Sequence, residues 1–515
     1  MNQPKQKEIL ILFLCLFIGF ALRFFTFDKK SLWMDEIHTF NESRDSLSGQ
    51  IKYYKENPAS LHPPLFFILT HLFFPFNNPE RDLRIIPLIF GTLSILMVYF
   101  LSRSFSPPIA LPCTISLTFM VYHISLSQDG RSYSFLMFLG MAGVYFFMMH
   151  LKTLRKCYLL GTAVLFSLLF YTSYSSIPFI ILSQILWFYR AREDDKKPGI
   201  SSPLILNGIT FLLCLPWILF LIFHYRGQPL MDPYQAKVSI TFWSILYGIL
   251  HDWVPYLPLL TSSVALLILF PIFSKDRRNA LVLLGAFILP IGGLYLFCKL
   301  LNITHFITSR YFINFLPFFF ISIYLSLHQI EIRFERLKPF LRLRFLFVIL
   351  FIASNLMIFP LYLRSEKQDF RGLATYLKSH LREKDKIFDA EMGYMPGILH
   401  YFGEYPEGRH YIIPYRKISE KEVEFRKSFV YRNRVFTIYS SGTCCGHYVA
   451  DGSRLWILVS KENAKKLKED SAYVLKGYFD GSFLNFSRFP EDASIYLFLL
   501  DPRSPNEKGI DLPIE

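Results

Sequence analysis

Runs of about twenty apolar residues recur along the first 365 positions, and a run of that length is what a helix needs to cross the hydrocarbon of a bilayer. Eleven can be marked, at 8–27, 85–102, 107–125, 132–151, 157–172, 175–189, 203–224, 256–273, 279–298, 310–328 and 344–363. Over half of the 515 residues are hydrophobic and 55 are Phe, so the expected class is a polytopic α-helical membrane protein of about eleven spans. A further apolar stretch, 61–76, is shorter, opens His62-Pro63-Pro64 and carries His71 and Pro75.

Charge settles how that stretch is read. With Lys5 and Lys7 holding the N-terminus in the cytoplasm, eleven spans leave every large basic cluster on the same side: Lys152, Arg155 and Lys156, then 190–197, then Lys275, Arg277 and Arg278, then 333–344. Counting 61–76 as a span would move all of them outside, so it is taken as an interfacial or re-entrant helix. The net charge of +15 is thereby absorbed in orienting helices, and nucleic acid is not an expected partner. The outward segments are then 28–84, 127–131, 172–175, 225–256, 300–309 and everything beyond 364. The first run lacks a small-x-small cleavage site and reads as a retained span, not a signal peptide.

Five of the seven cysteines, Cys15, Cys113, Cys157, Cys214 and Cys298, lie in or beside apolar runs as small packing residues. Cys444 and Cys445 are neighbours in a polar region, and the nearby His447 does not complete a zinc spacing, so no metal or redox motif is read there. Sequons at Asn41, Asn302 and Asn485 fall outside by this topology. From 365 to 515 the charges disperse and the apolar runs shorten, as in a soluble domain. The patterning predicts a helix over 369–381, a strand over 386–390, a helix over 419–427 begun by a serine cap, and strands over 434–439 and 455–460, giving an α/β layer domain. The division is 1–364 for the membrane domain, with 28–84 its first outer loop and interfacial helices within it, and 365–515 for the soluble domain.

The residues that carry chemistry begin at the end of the first run. Trp33-Met34-Asp35-Glu36 places two adjacent carboxylates at the lipid–water boundary, where an acid or base could act on a lipid head group. The segment resembles the W-x-D-E signature of the protein O-mannosyltransferase-like, or aminoarabinose-transferase-like, polyprenyl-phosphate-sugar glycosyltransferases of GT-C fold. Leu61-His62-Pro63-Pro64-Leu65-Phe66-Phe67 is similar to that family's H-P-P-L-[FY]-[FY] signature. Ser127-Gln128-Asp129-Gly130-Arg131-Ser132-Tyr133 is similar to its S-x-E-x-R-x-Y segment, and Ser309-Arg310-Tyr311 through Pro317 to its R-Y-x(5)-P segment. The four stand in the family's order across roughly 30–320.

The resemblance implies transfer of a sugar from a polyprenyl-phosphate carrier to an acceptor at the outer face of the membrane. Such a reaction needs a base for the acceptor hydroxyl, cations or donors for the departing phosphate, and an apolar groove for the polyprenyl tail. Asp35 is the expected base. Glu36, also assigned to the catalytic pair, either positions the acceptor or holds the loop. His62 is expected to face the donor phosphate, as imidazolium or as a neutral donor. Arg131 and Arg310 are the two candidate phosphate ligands, each followed by an aromatic, Tyr133 and Tyr311, that adds a hydroxyl or simply packs. Asp129 supports, pairing with Arg131. Tyr171-Thr172-Ser173-Tyr174 lacks the His that many relatives carry at that bend. No cofactor is required by this chemistry, although the residues leave open a divalent cation held by Asp35.

The expected partners are a polyprenyl-phosphate-sugar donor, membrane lipids and a lipid, glycan or protein acceptor. A transporter or flippase of a lipid-linked sugar is the alternative, argued against by signature charges on one side and the absence of an inverted repeat. No outer loop before 364 can hold an inserted β-trefoil-like domain, which points to a bacterial inner-membrane enzyme with its C-terminal domain outside.

Overall fold

The protein is described from a computed structural model covering residues 6–56, 62–189, 199, 201–224, 241–300, 308–334, 342–391, 393–404, 414–417, 423–441, 449, 452–482, 493–504 and 508–514. All eleven apolar runs fold as helices or bent helix pairs. Among the described residues six helices are long and apolar enough to cross a membrane, and two bent pairs raise that to as many as eight. Two shorter apolar helical stretches, Lys156–Thr172 and Tyr174–Phe188, fall below the length of a straight span. The first helix, Gln6–Phe24, carries Lys7, Glu8 and Arg23 among its 19 residues.

One bent pair breaks at Met120, turning 63° between Pro107–Phe119 and Val121–Ser127. Arg23, fully buried, holds this break: its guanidinium donates to the carbonyls of Leu117 and Thr118 at 2.9 and 3.2 Å and meets His123 Nδ1 at 2.8 Å. Those are carbonyls of the kind a helix C-terminus leaves unpaired, and a buried guanidinium supplies the missing donors. Within the ambiguous stretch 61–76, the described residues 62–76 form one short helix, Leu65–His71. Seven residues at about 1.5 Å each cover far less than the hydrocarbon core, so this element does not span.

Two amphipathic helices, Met34–Ser43 and Leu47–Glu56, follow the first apolar helix. Beyond Arg364, where the last apolar helix ends, lies a seven-stranded sheet: β1 Lys386–Asp389, β2 Pro414–Lys417, β3 Val423–Tyr431, β4 Arg434–Ser440, β5 Leu455–Val459, β6 Val474–Phe479 and β7 Ile495–Leu500. The order is β2-β3-β4-β1-β5-β7-β6, with β1 parallel to both β4 and β5 and the outer pairings antiparallel. The strand period puts Trp456 and Leu458 of β5 on one face and Leu455, Ile457 and Val459 on the other, and both sets are buried.

Helix Phe370–His380 forms as its sequence predicts, capped by Asp369, whose carboxylate accepts from Gly372 N at 2.8 Å. Of the helix expected over 419–427, residues 419–422 lie outside the described residues and 423–427 are strand instead. From Val423 the chain is strand β3, paired with β4 through a two-residue turn, Arg432-Asn433, both at positive φ of 50° and 59°. That is the geometry of a tight hairpin, and cross-strand packing such as Phe429 against Phe436 overrides the helical reading of the charged run. Asn302, Asn485, Cys444, Cys445 and the cluster 190–197 lie outside the described residues.

Ile37 and Phe40 of helix Met34–Ser43 pack into the same core as Phe370, Leu373, Ile398, Leu399 and Trp456. Each such side chain contributes about 1.5–3 kcal/mol by leaving water. The helix that carries the acidic pair is therefore seated on the sheet domain as well as on the apolar helices.

Candidate active site

Glu36 and Arg84 form the rigid base of the site. Arg84 Nε and Nη2 donate to the two carboxylate oxygens of Glu36, each at 2.7 Å, and both side chains are buried. The same guanidinium donates to the carbonyls of Phe27, Lys30 and Ser31, which ties down the turn after the first helix. Glu36 also accepts from Gly130 N at 2.6 Å and from Trp33 N at 3.4 Å, the latter closing the start of its own helix. A Cβ on residue 130 would stand 3.2 Å from the Glu36 carboxylate and 3.1 Å from Leu83 Cβ, so glycine permits the approach. Glu36, assigned from sequence to the catalytic pair, has both oxygens in hydrogen bonds and a buried side chain, an arrangement that suits the loop-holding one of its two expected roles.

One residue earlier the helix turns Asp35 about 100° away, toward an opening. Its carboxylate is about a quarter exposed, with Oδ2 3.5 Å from Arg310 Nη2. Arg131 donates to the Asp35 carbonyl at 3.2 Å and to Thr39 Oγ1 at 3.1 Å, so it braces the first turn of this helix. Burial alone would raise the Asp35 pKa, but the guanidinium of Arg310, then Arg131, His38 and Lys367, outweigh it and hold the carboxyl below its ordinary 3.8.

Arg310 sits in an aromatic box. Its guanidinium lies 4.9 Å from the ring of Trp33, 5.7 Å from Tyr133 and 5.8 Å from Tyr311, and the two tyrosines meet edge to face. Among the described residues Arg310 Nε is buried without a hydrogen-bond partner and so remains available to an oxygen-rich ligand, while the Tyr133 hydroxyl is buried beside Arg131. The structure thus brings Asp35, Arg131, Tyr133, Arg310 and Tyr311 to one place, from three separated segments.

Asp129 departs from expectation. Its side chain does not pair with Arg131: it accepts from Trp33 Nε1 at 3.0 Å and from Lys367 Nζ at 2.8 Å, and it is buried. His62, in the segment before helix Leu65–His71, meets the last turn of helix Met34–Ser43: it is half exposed, with Nδ1 2.8 Å from Glu42 Oε1. The Glu42 carboxylate raises the His62 pKa above 6.5, against burial, which lowers it, and so favours the imidazolium. Burial lowers His38 despite Asp35 and Glu42 nearby. Asp35, His38, Thr39 and Glu42 recur at helical spacing on one face, a pattern legible in the sequence once this segment is taken as a helix. Arg84 and Lys367 carried no such local signal.

A cavity of about 270 Å³, with Pro64 two residues after His62 in its wall, opens between helix Leu47–Glu56 and the apolar helices. Leu47, Ile51, Tyr54, Pro64, Trp217 and Phe220 supply most of its wall. Among the described residues no group of three or more His, Cys, Asp or Glu side chains could hold a metal ion.

Residues 61–220, less than a third of the chain, match the family model for dolichyl-phosphate-mannose-protein mannosyltransferase. No curated protein sequence matches. Among solved structures the chain is similar to ArnT from Cupriavidus metallidurans in the apo state, at 12% identity and TM-score 0.50, over 98% of this chain and 99% of that one. It is similar to the same protein bound to undecaprenyl phosphate at 11% identity, with the same TM-score and coverage. The Archaeoglobus fulgidus oligosaccharyltransferase in complex with Zn and sulfate also matches, at 12% identity and TM-score 0.46, over 77% of this chain and 61% of that one. The chain has the GT-C glycosyltransferase fold: a multi-pass helical membrane part followed by a C-terminal sheet domain.

Proposed function

We propose that the protein transfers a sugar from a polyprenyl-phosphate carrier to an acceptor hydroxyl at the extracytoplasmic face of a bacterial inner membrane. The observation that carries this reading is the convergence of the open Asp35 carboxylate with the Arg310 guanidinium, 3.5 Å apart, beside Arg131 and at the edge of the apolar helices. The match of residues 61–220 to a mannosyltransferase family, and a shared fold with a protein solved with undecaprenyl phosphate bound, support the same reading.

In this mechanism residues 1–364 hold the site and 365–515 form the outer domain. The carrier phosphate lies against Arg310 and Arg131, with the imidazolium of His62 adding positive charge nearby. The apolar cavity takes part of the isoprenoid chain. Asp35, ionised at neutral pH, accepts the acceptor's proton as its oxygen attacks the sugar's anomeric carbon. The bond to the phosphate oxygen breaks, its electron pair stays on the phosphate, and the guanidiniums stabilise that charge. Attack opposite the leaving group inverts the anomeric centre. Tyr133 and Tyr311 frame Arg310, and Glu36 holds the loop.

The test is to supply the purified protein with undecaprenyl-phosphate-linked sugars and follow the lipids by mass spectrometry. Acceptor-dependent release of undecaprenyl phosphate is the expected result. Movement of the intact sugar-lipid across a vesicle membrane, without cleavage, would make the protein a flippase instead.

A further inference from the structure

Immediately after the last apolar helix, residues 366–369 run alongside residues 31–34 as a strap. Ser31 N donates to Glu366 Oε2 at 3.1 Å, and Met34 N donates to Gln368 Oε1 at 3.0 Å. The sheet domain holds the other side of the strap: Glu366 N donates to Asp480 Oδ2 at 2.6 Å and Asp369 N to the Asp480 carbonyl at 2.9 Å, just beyond β6. Between those anchors Lys367 reaches inward. Its Nζ is 2.8 Å from Asp129 Oδ2 and 5.3 Å from the centre of the Trp33 ring, the same indole on which Arg310 rests.

Resting on the glycosyl-transfer reading above, we propose that Lys367 is a positioning residue of this site, through which the sheet domain fixes Trp33 and hence the placement of Arg310 against Asp35. The physical grounds are direct. Asp129 is buried and holds Trp33 by its indole N–H, so it stays in place only while a cation neutralises it. Without Lys367, the buried Asp129 charge is left to draw on the nearby guanidinium, and Trp33 loses a cation from its ring. A displacement of about 1 Å at such a pair costs on the order of 10²-fold in rate.

The experiment uses the full chain, with undecaprenyl phosphate retention read by native mass spectrometry and turnover of an undecaprenyl-phosphate-linked sugar followed against pH. Lys367→Met is expected to weaken retention and lower kcat, each about tenfold or more, with Lys367→Arg restoring most of both. The acid limb of kcat should also move to higher pH in Lys367→Met, because one of the charges that depress Asp35 is gone. A lysine that merely supported folding would leave that limb in place. Because Lys367→Met strands a buried carboxylate, the double variant Asp129→Leu/Lys367→Met, which removes both charges and with them the acceptor for the Trp33 indole, keeps the test open if the single variant fails to fold, and it should remain slow. Wild-type kcat and retention in the double variant, or no rescue by Lys367→Arg, would overturn the inference while leaving glycosyl transfer standing. A wild-type protein that neither retains undecaprenyl phosphate nor turns over its sugar would overturn the transfer reading, and this inference with it.

Discussion

Two adjacent carboxylates, Asp35 and Glu36, end in opposite environments because a helix turns them about 100° apart. Glu36 meets a buried guanidinium fork and Asp35 meets an opening. Glu36→Gln should leave Arg84 buried with its charge uncompensated and lower stability by about 3–5 kcal/mol, read as a fall in thermal unfolding midpoint in detergent. His62 behaves in the reverse sense. Its pKa is raised by Glu42, so the charged pair is fully present below the ordinary His value of 6.5 and is lost as pH rises through the raised value. In Glu42→Gln the alkaline limb of kcat/KM should shift to lower pH, and in His62→Gln it should vanish. An unchanged limb in both would remove His62 from phosphate binding.

At the scale of elements, the site depends on how closely the segment after Val121–Ser127 approaches helix Met34–Ser43. Gly130→Val would place side-chain atoms against both the Glu36 carboxylate and Leu83, costing about 1–3 kcal/mol, with turnover falling alongside the melting temperature. Much of this level was legible in the sequence. Apolar runs declare themselves by composition, since a helix facing lipid has no polar face to disguise it, and all eleven became helical. Asp35, Arg131, Arg310 and their tyrosines could be picked out because they stand in segments that resemble a known family's motifs, with the charges at the ends of apolar runs. What stayed hidden were pairings between distant segments. Nothing local in Arg84 says that it clasps Glu36, 48 positions away, and Lys367 reads as one more lysine in a polar stretch. Strand β3 was hidden too: a serine at 419 followed by a charged run reads as a capped helix, and only pairing with β4 across Arg432-Asn433 makes 423–431 a strand.

For the molecule as a whole, the helix bearing Asp35 belongs to two bodies of structure, with Ile37 and Phe40 in the sheet domain's core and its polar face toward the apolar helices. The strap that joins them contains Glu366, whose pKa burial raises from 4.5 to about 7. The folded strap therefore favours the protonated acid: the stability this provides is fully present below pH 4.5 and is lost as pH rises through about 7. Glu366→Gln should flatten the thermal midpoint across that window, and an unaltered pH dependence would place the buried charge elsewhere. The central claim, that this convergence performs glycosyl transfer with Asp35 as the base, meets its most direct test in membranes carrying wild type or Asp35→Asn at matched expression. Mass spectrometry of polyprenyl-phosphate sugars should show a carrier consumed by the wild type and a loss of about 10²–10⁴-fold in the variant. Consumption by Asp35→Asn at the wild-type rate would contradict it.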